Sequence, residues 1–166
     1  MIYSERITTM QSSPIRKLAH IASSAKAKGI KIYHLNIGQP DIKTPKVFFE
    51  AVKNFNNEVL EYAVSPGLPE LISSLQQYYT TYNMDFESDE ILVTNGGSEA
   101  LLFALMATCD PKDNILVPEP FYSNYNGFSQ SINVNITPIT TKAEEGFHLP
   151  SKEKIQSLIT SKTKAI

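Results

Sequence analysis

From residue 90 onward, short β-prone runs alternate with helical ones, and this alternation restricts the chain to an α/β layer with parallel strand pairing. The β-prone runs are 91–94 (Ile-Leu-Val-Thr), 115–117 (Ile-Leu-Val) and 134–139, and Lys164, Ala165 and Ile166 read as the start of another. Between them the pattern predicts helices over about 99–108, 123–131 and 151–160. Residues 99–108 are almost continuously apolar, so that helix is expected to be buried on most sides.

The first half is predominantly helical. Ser13-Pro14 reads as a cap followed by the first helical position, with Ile15, Leu18, Ala19, Ala22 and Ala25 at helical spacing and Gly29 as the stop. Residues 30–37 form a short extended run ending at Gly38. Thr44-Pro45 repeats the start signal, and Val47, Phe48, Ala51, Val52 and Phe55 put an apolar stripe on a second helix. A third begins near Pro69 and carries Leu71, Leu75 and Tyr79, and its tyrosines Tyr78, Tyr79 and Tyr82 are expected in core and interface.

Composition narrows the function classes. Of 166 residues, 42% are apolar and 19% charged, which is globular rather than disordered. A self-contained domain of this length would bury roughly 70% of its unfolded surface. The net charge is -2 with no Lys/Arg block, so neither nucleic acid nor an anionic membrane is indicated as a partner. No apolar stretch approaches the ~20 residues that span a bilayer, and residues 1–10 lack the basic and apolar regions of a secretory signal. Cys109 is the single cysteine, which excludes an internal disulfide and makes a reduced cytoplasmic setting the expectation. It ends an apolar helix and reads as packing rather than nucleophile. His20, His34 and His148 lack paired ligand spacing, so no metal site is expected.

Four turns could carry chemistry. In Asn95-Gly96-Gly97-Ser98 a β-prone run passes into a helix, whose N-terminus offers unpaired N–H groups and a positive dipole end. Glycine lets backbone approach a phosphate closely, and the serine hydroxyl adds a donor. The turn is neither a Walker loop nor a GxGxxG fingerprint. Residues 36–45 (NIGQPDIKTP) hold Gly38 at a strand exit stiffened by Pro40 and Pro45. Residues 61–71 (EYAVSPGLPEL) bring Tyr62 into a Pro/Gly turn. Residues 117–122 (VPEPFY) end a strand in two aromatics, and Tyr122 lies where open α/β sheets bind ligands, beyond a strand's carboxyl end. Each turn alone reads equally well as a plain structural connection.

Together, in this order and spacing, the four segments resemble the class I, aspartate-aminotransferase-like branch of the fold-type I pyridoxal-phosphate-dependent enzymes, over essentially the whole chain. The resemblance implies a mixed-sheet α/β fold, with residues 1–45 as N-terminal arm and small-domain segment and 46–166 as the first part of the large cofactor-binding domain. The implied cofactor is pyridoxal 5'-phosphate. Gly97 and Ser98, with Gly96 beside them, would hold its phosphate, and Tyr122 would stack on its pyridine ring. Tyr62 would donate to the phosphate of the neighbouring subunit of a homodimer, and Gly38 would bring backbone near the substrate carboxylate. Glu99 is not counted as a ligand, since a carboxylate should turn away from a dianion.

The resemblance also implies what is missing. The lysine that carries the cofactor, the aspartate on the pyridine nitrogen and the arginine that grips the substrate carboxylate all belong downstream of the matching stretch. Lys112, Lys142 and Lys152 sit in helix faces or polar loops, not in a desolvated setting that would lower a lysine pKa. No catalytic residue is therefore assigned here, and the chain is expected to be truncated and inactive alone. The whole protein is expected to move an amino group between an amino acid and a 2-oxo acid. A lyase or synthase on the same scaffold, or a non-catalytic ligand-binding or dimerisation module, stays open.

Overall fold

The computed structural model describes residues 2–11 and 13–166, the side chain of Ile15 excepted, so that the place of Ile15 on its expected stripe lies outside the described residues. Contacts divide the chain into two compact units, one of residues up to Asn36 together with Gly97–Ile166, the other Ile37–Gly96.

In the first unit, α1 (Glu5–Thr8) and α2 (Ala19–Ala27) precede α5 (Gly97–Thr108), β1 (Asn114–Glu119), α6 (Asn124–Ser131), β2 (Asn135–Thr140), α7 (Lys152–Gln156) and β3 (Thr163–Ala165). The strands form a parallel sheet in the order β2-β1-β3, as the alternation predicts. β1 and β2 pair in continuous register from Asn114 against Asn135 to Glu119 against Thr140. Leu105 on α5, Ile115 on β1 and Val134 ahead of β2 are buried together, with Cys109, Tyr125 and Phe128 packed against them. Leu116 and Ile139 are each 1% exposed.

Polar groups tie the amino end of the sheet. Asn114 Nδ2 donates to Thr137 Oγ1 (2.9 Å), and Asn114 Oδ1 accepts from Thr163 Oγ1 (3.1 Å), so one side chain holds both outer strands. Beside it, Asp113 is almost wholly buried and accepts the Asp110 N–H at 2.9 Å. Lys162 and Lys164 lie 3.5 and 3.8 Å from its carboxylate. The Asp110 N–H, then Lys164 and Lys162, hold this carboxyl below the usual aspartate range, against the opposing effect of burial. At the other end of the chain, Arg6 Nη1 donates to Ser131 O (2.8 Å) and Gln130 Nε2 to Thr9 Oγ1 (3.1 Å), docking α1 on α6.

The second unit holds α3 (Lys46–Lys53) and α4 (Pro69–Thr80). Pro69 occupies the first turn of α4, as its spacing predicts, because a missing N–H costs nothing there. The Val93 N–H donates to Pro66 O (2.8 Å), closing the 64–67 turn onto residues 91–94. Gly67 has φ +118°, and a Cβ there would lie 2.6 Å from Val93 Cβ.

Several expectations are corrected. The helix expected from Pro14 begins as a 3₁₀ turn (Pro14–Arg16), and α2 starts only at Ala19. Residues 30–37 and 91–94 form no strand among the described residues, because an extended run becomes a strand only where a partner closes the ladder. α5 is not buried on most sides. Leu105 is its one buried residue, and Phe103 and Met106 are 45% and 58% exposed, since the sheet covers a single face of it. The stripe on α3 is likewise open, with Val47, Phe48 and Val52 all exposed. On α4, Tyr78 and Tyr82 stand exposed with rings edge to face at 5.2 Å, and Ile72, not the expected Leu71, is the buried residue. α7 is shorter than the pattern suggests, although Ser151 caps it by accepting from the Lys154 N–H. Among the described residues no helix is long and apolar enough to cross a membrane.

Candidate functional site

Gly96 makes the tight turn into α5. Its φ is +88°, a left-handed conformation that glycine adopts without cost. Its N–H donates to Thr94 O (2.8 Å), and Thr94 Oγ1 donates back to Gly96 O (3.0 Å). Gly97 and Ser98 are the first two residues of α5, where backbone N–H groups have no acceptor inside the helix. Both are exposed, and a Cβ added at Gly96 or Gly97 would meet nothing within 4 Å. The turn is therefore open to a ligand rather than sealed in packing.

Gly97 and Ser98 share a cleft of about 720 Å³ with Tyr122, so the structure brings together three of the residues singled out by sequence. The rest of the lining is apolar, from Ala100, Leu101 and Ala104 on α5 and from Tyr125 and Phe128 on α6. The sheet explains the placing of Tyr122: β1 ends at Glu119, the chain turns, and α6 begins at Asn124, which leaves Tyr122 just beyond the strand's carboxyl end. Its carbonyl accepts the Tyr125 N–H (3.0 Å) and its ring is 52% exposed. Donors at one end and an aromatic face beside them can hold a molecule that joins an anionic group to a flat ring.

Gly38 and Tyr62 belong to the other unit. Gly38 has open space where a Cβ would stand, and the Tyr62 side chain is fully exposed. Two features in or beside the cleft are missing from the sequence reading. Tyr125 and Phe128 follow Tyr122 at a helical interval of three and could have been found from it. Asn124, whose amide reaches the Tyr122 hydroxyl, leaves no periodic trace.

Residues 30–166 match the family described as aminotransferase class I and II. The chain belongs to that family. As a family member it is 33% identical to a probable aspartate aminotransferase of Methanocaldococcus jannaschii, over 98% of this chain and 42% of that protein. Among solved structures, an alanine aminotransferase from Pyrococcus furiosus aligns with a TM-score of 0.84 at 31% identity, over 98% of this chain and 42% of its own. A mutant of Thermus thermophilus aspartate aminotransferase aligns with a TM-score of 0.88 at 28% identity, over 99% of this chain and 43% of its own. These neighbours share the fold-type I aminotransferase architecture, of which this chain is an incomplete α/β portion with a small parallel sheet. The chain spans about 42% of the length of the relatives it matches.

Proposed function

We propose that this chain supplies the phosphate seat and the ring-facing aromatic of a pyridoxal 5'-phosphate-dependent aminotransferase acting on an amino acid and a 2-oxo acid. One observation carries the reading: an open helix N-terminus bearing Ser98 lines the same cleft as Tyr122. The donor set fits the cofactor, with N–H groups and a hydroxyl for a dianion and a phenol face for a pyridine ring.

When bound, the cofactor supplies an electron sink in its pyridinium ring. The residues of this chain bind and orient. First-turn N–H groups of α5 and the Ser98 hydroxyl neutralise the phosphate with help from the helix dipole. Ala100, Leu101 and Ala104 would give the bound cofactor an apolar wall on one side of the cleft. Tyr62 reaches the phosphate of a neighbouring subunit in a homodimer, a role its complete exposure suits. Gly38 keeps room for backbone beside the substrate carboxylate. The domain division of 1–45 and 46–166 belongs to this same reading.

The test compares pyridoxal 5'-phosphate with pyridoxal on the intact protein and its Ser98→Ala variant. The phosphate form should bind the parent more tightly. Ser98→Ala should lose about tenfold or more of that preference, the range of one hydrogen bond to a charged group. Equal affinity for both compounds in the parent protein would sink the reading.

A further inference from the structure

Tyr122 lines an open cleft and is 52% exposed, so packing covers only about half of it. Its phenol oxygen nevertheless has a fixed partner, since Asn124 Nδ2 donates to it at 2.6 Å. Asn124 is the first residue of α6, and that helix is anchored in the core through Tyr125 and Phe128. The amide is thus held by a packed element, while the ring it touches hangs from the turn before it.

We propose that Asn124 is a positioning residue, whose amide sets the plane of the Tyr122 ring against the cofactor's pyridine ring and turns the Tyr122 O–H outward as a donor. This rests on the cofactor reading of the cleft given above. Two arguments support it. A hydrogen bond at the far end of the ring restrains χ1 directly, and it restrains χ2 only through its direction, because a phenol oxygen accepts best in the plane of its own ring. The phenol oxygen also spends an acceptor position on Asn124, so its own proton must seek a different acceptor. Asn124 does not line the cleft, so any effect on a ligand passes through Tyr122.

The experiment is a double-mutant cycle on the intact, cofactor-free protein with Asn124→Leu, Tyr122→Phe and the two combined. Asn124→Leu keeps the branched side-chain shape and removes the hydrogen bond without adding charge. The dissociation constant for pyridoxal 5'-phosphate should rise about two- to tenfold in each single variant, the usual range for one neutral hydrogen bond. The circular dichroism of the bound cofactor should fall alongside it. The double variant should be no weaker than Tyr122→Phe alone, and inorganic phosphate should bind all four proteins equally. Additive losses in the cycle, unchanged binding by Asn124→Leu, or a parallel loss of phosphate binding would overturn the proposal while leaving the cofactor reading intact. Failure of the parent protein to bind pyridoxal 5'-phosphate would overturn both.

Discussion

Gly67 shows how narrowly one residue can be specified. Its φ of +118° disfavours any side chain, and a Cβ would overlap Val93 at 2.6 Å just where the Val93 N–H reaches Pro66 O. Gly67→Ala therefore has to break that turn or move Val93, at a cost of about 1–3 kcal/mol by analogy with overpacking and backbone strain. The thermal midpoint of the intact protein should drop by several degrees, and an unchanged midpoint would contradict the geometry. Gly96 differs in kind, because its positive φ faces open space and its substitution strains only the backbone. The glycines were legible in the sequence as turns, but their separate reasons were not. One is a matter of a neighbour's methyl groups and the other of a left-handed turn in open space.

At the scale of elements, β1 is the keystone, with β2 and β3 on its two sides. Its amino end depends on Asp113, whose carboxyl is held below the ordinary range by the Asp110 N–H and by Lys164 and Lys162. A carboxyl depressed in the folded state stabilises the fold above its unfolded pKa, and that stability is lost as pH falls through the folded value. Asp113→Asn should accordingly lower the denaturation midpoint of the intact protein at pH 7. The gap from the parent should close as pH drops below about 4, the ordinary aspartate range. A gap that stays constant down to pH 3 would show that charge is not the cause. The sequence announced elements whose cause is local: Pro69 at the start of α4, the start of α7 beside Ser151, and the apolar cores of β1 and β2. It overstated residues 30–37 and 91–94, because β-propensity records a side chain's fit to a sheet and not the existence of a partner strand. For the cleft, Gly97, Ser98 and Tyr122 could be read from their turns, whereas Asn124 could not, because its role lies in a side-chain direction.

For the whole molecule, the balance of buried and exposed apolar groups decides behaviour. In one unit Val47, Phe48, Phe49 and Val52 stand open on α3, and in the other Phe103 and Met106 stand open on α5. Faces of this kind serve as interfaces or lead to aggregation. The 166-residue chain by itself is expected to self-associate and to show no amino-group transfer with common donors, as followed by light scattering and a coupled assay. A monomeric, cooperative melting transition, or turnover at the level of a complete relative, would overturn that expectation. The open apolar side of α5 bears also on how such a polypeptide is made. Emerging from the ribosome before the sheet has formed, this largely apolar twelve-residue segment offers the kind of surface that holdase chaperones bind in competition with aggregation. Yield in a cell is therefore expected to rise with chaperone supply, and the helix that lines the cleft is a stretch on which a chaperone can take hold.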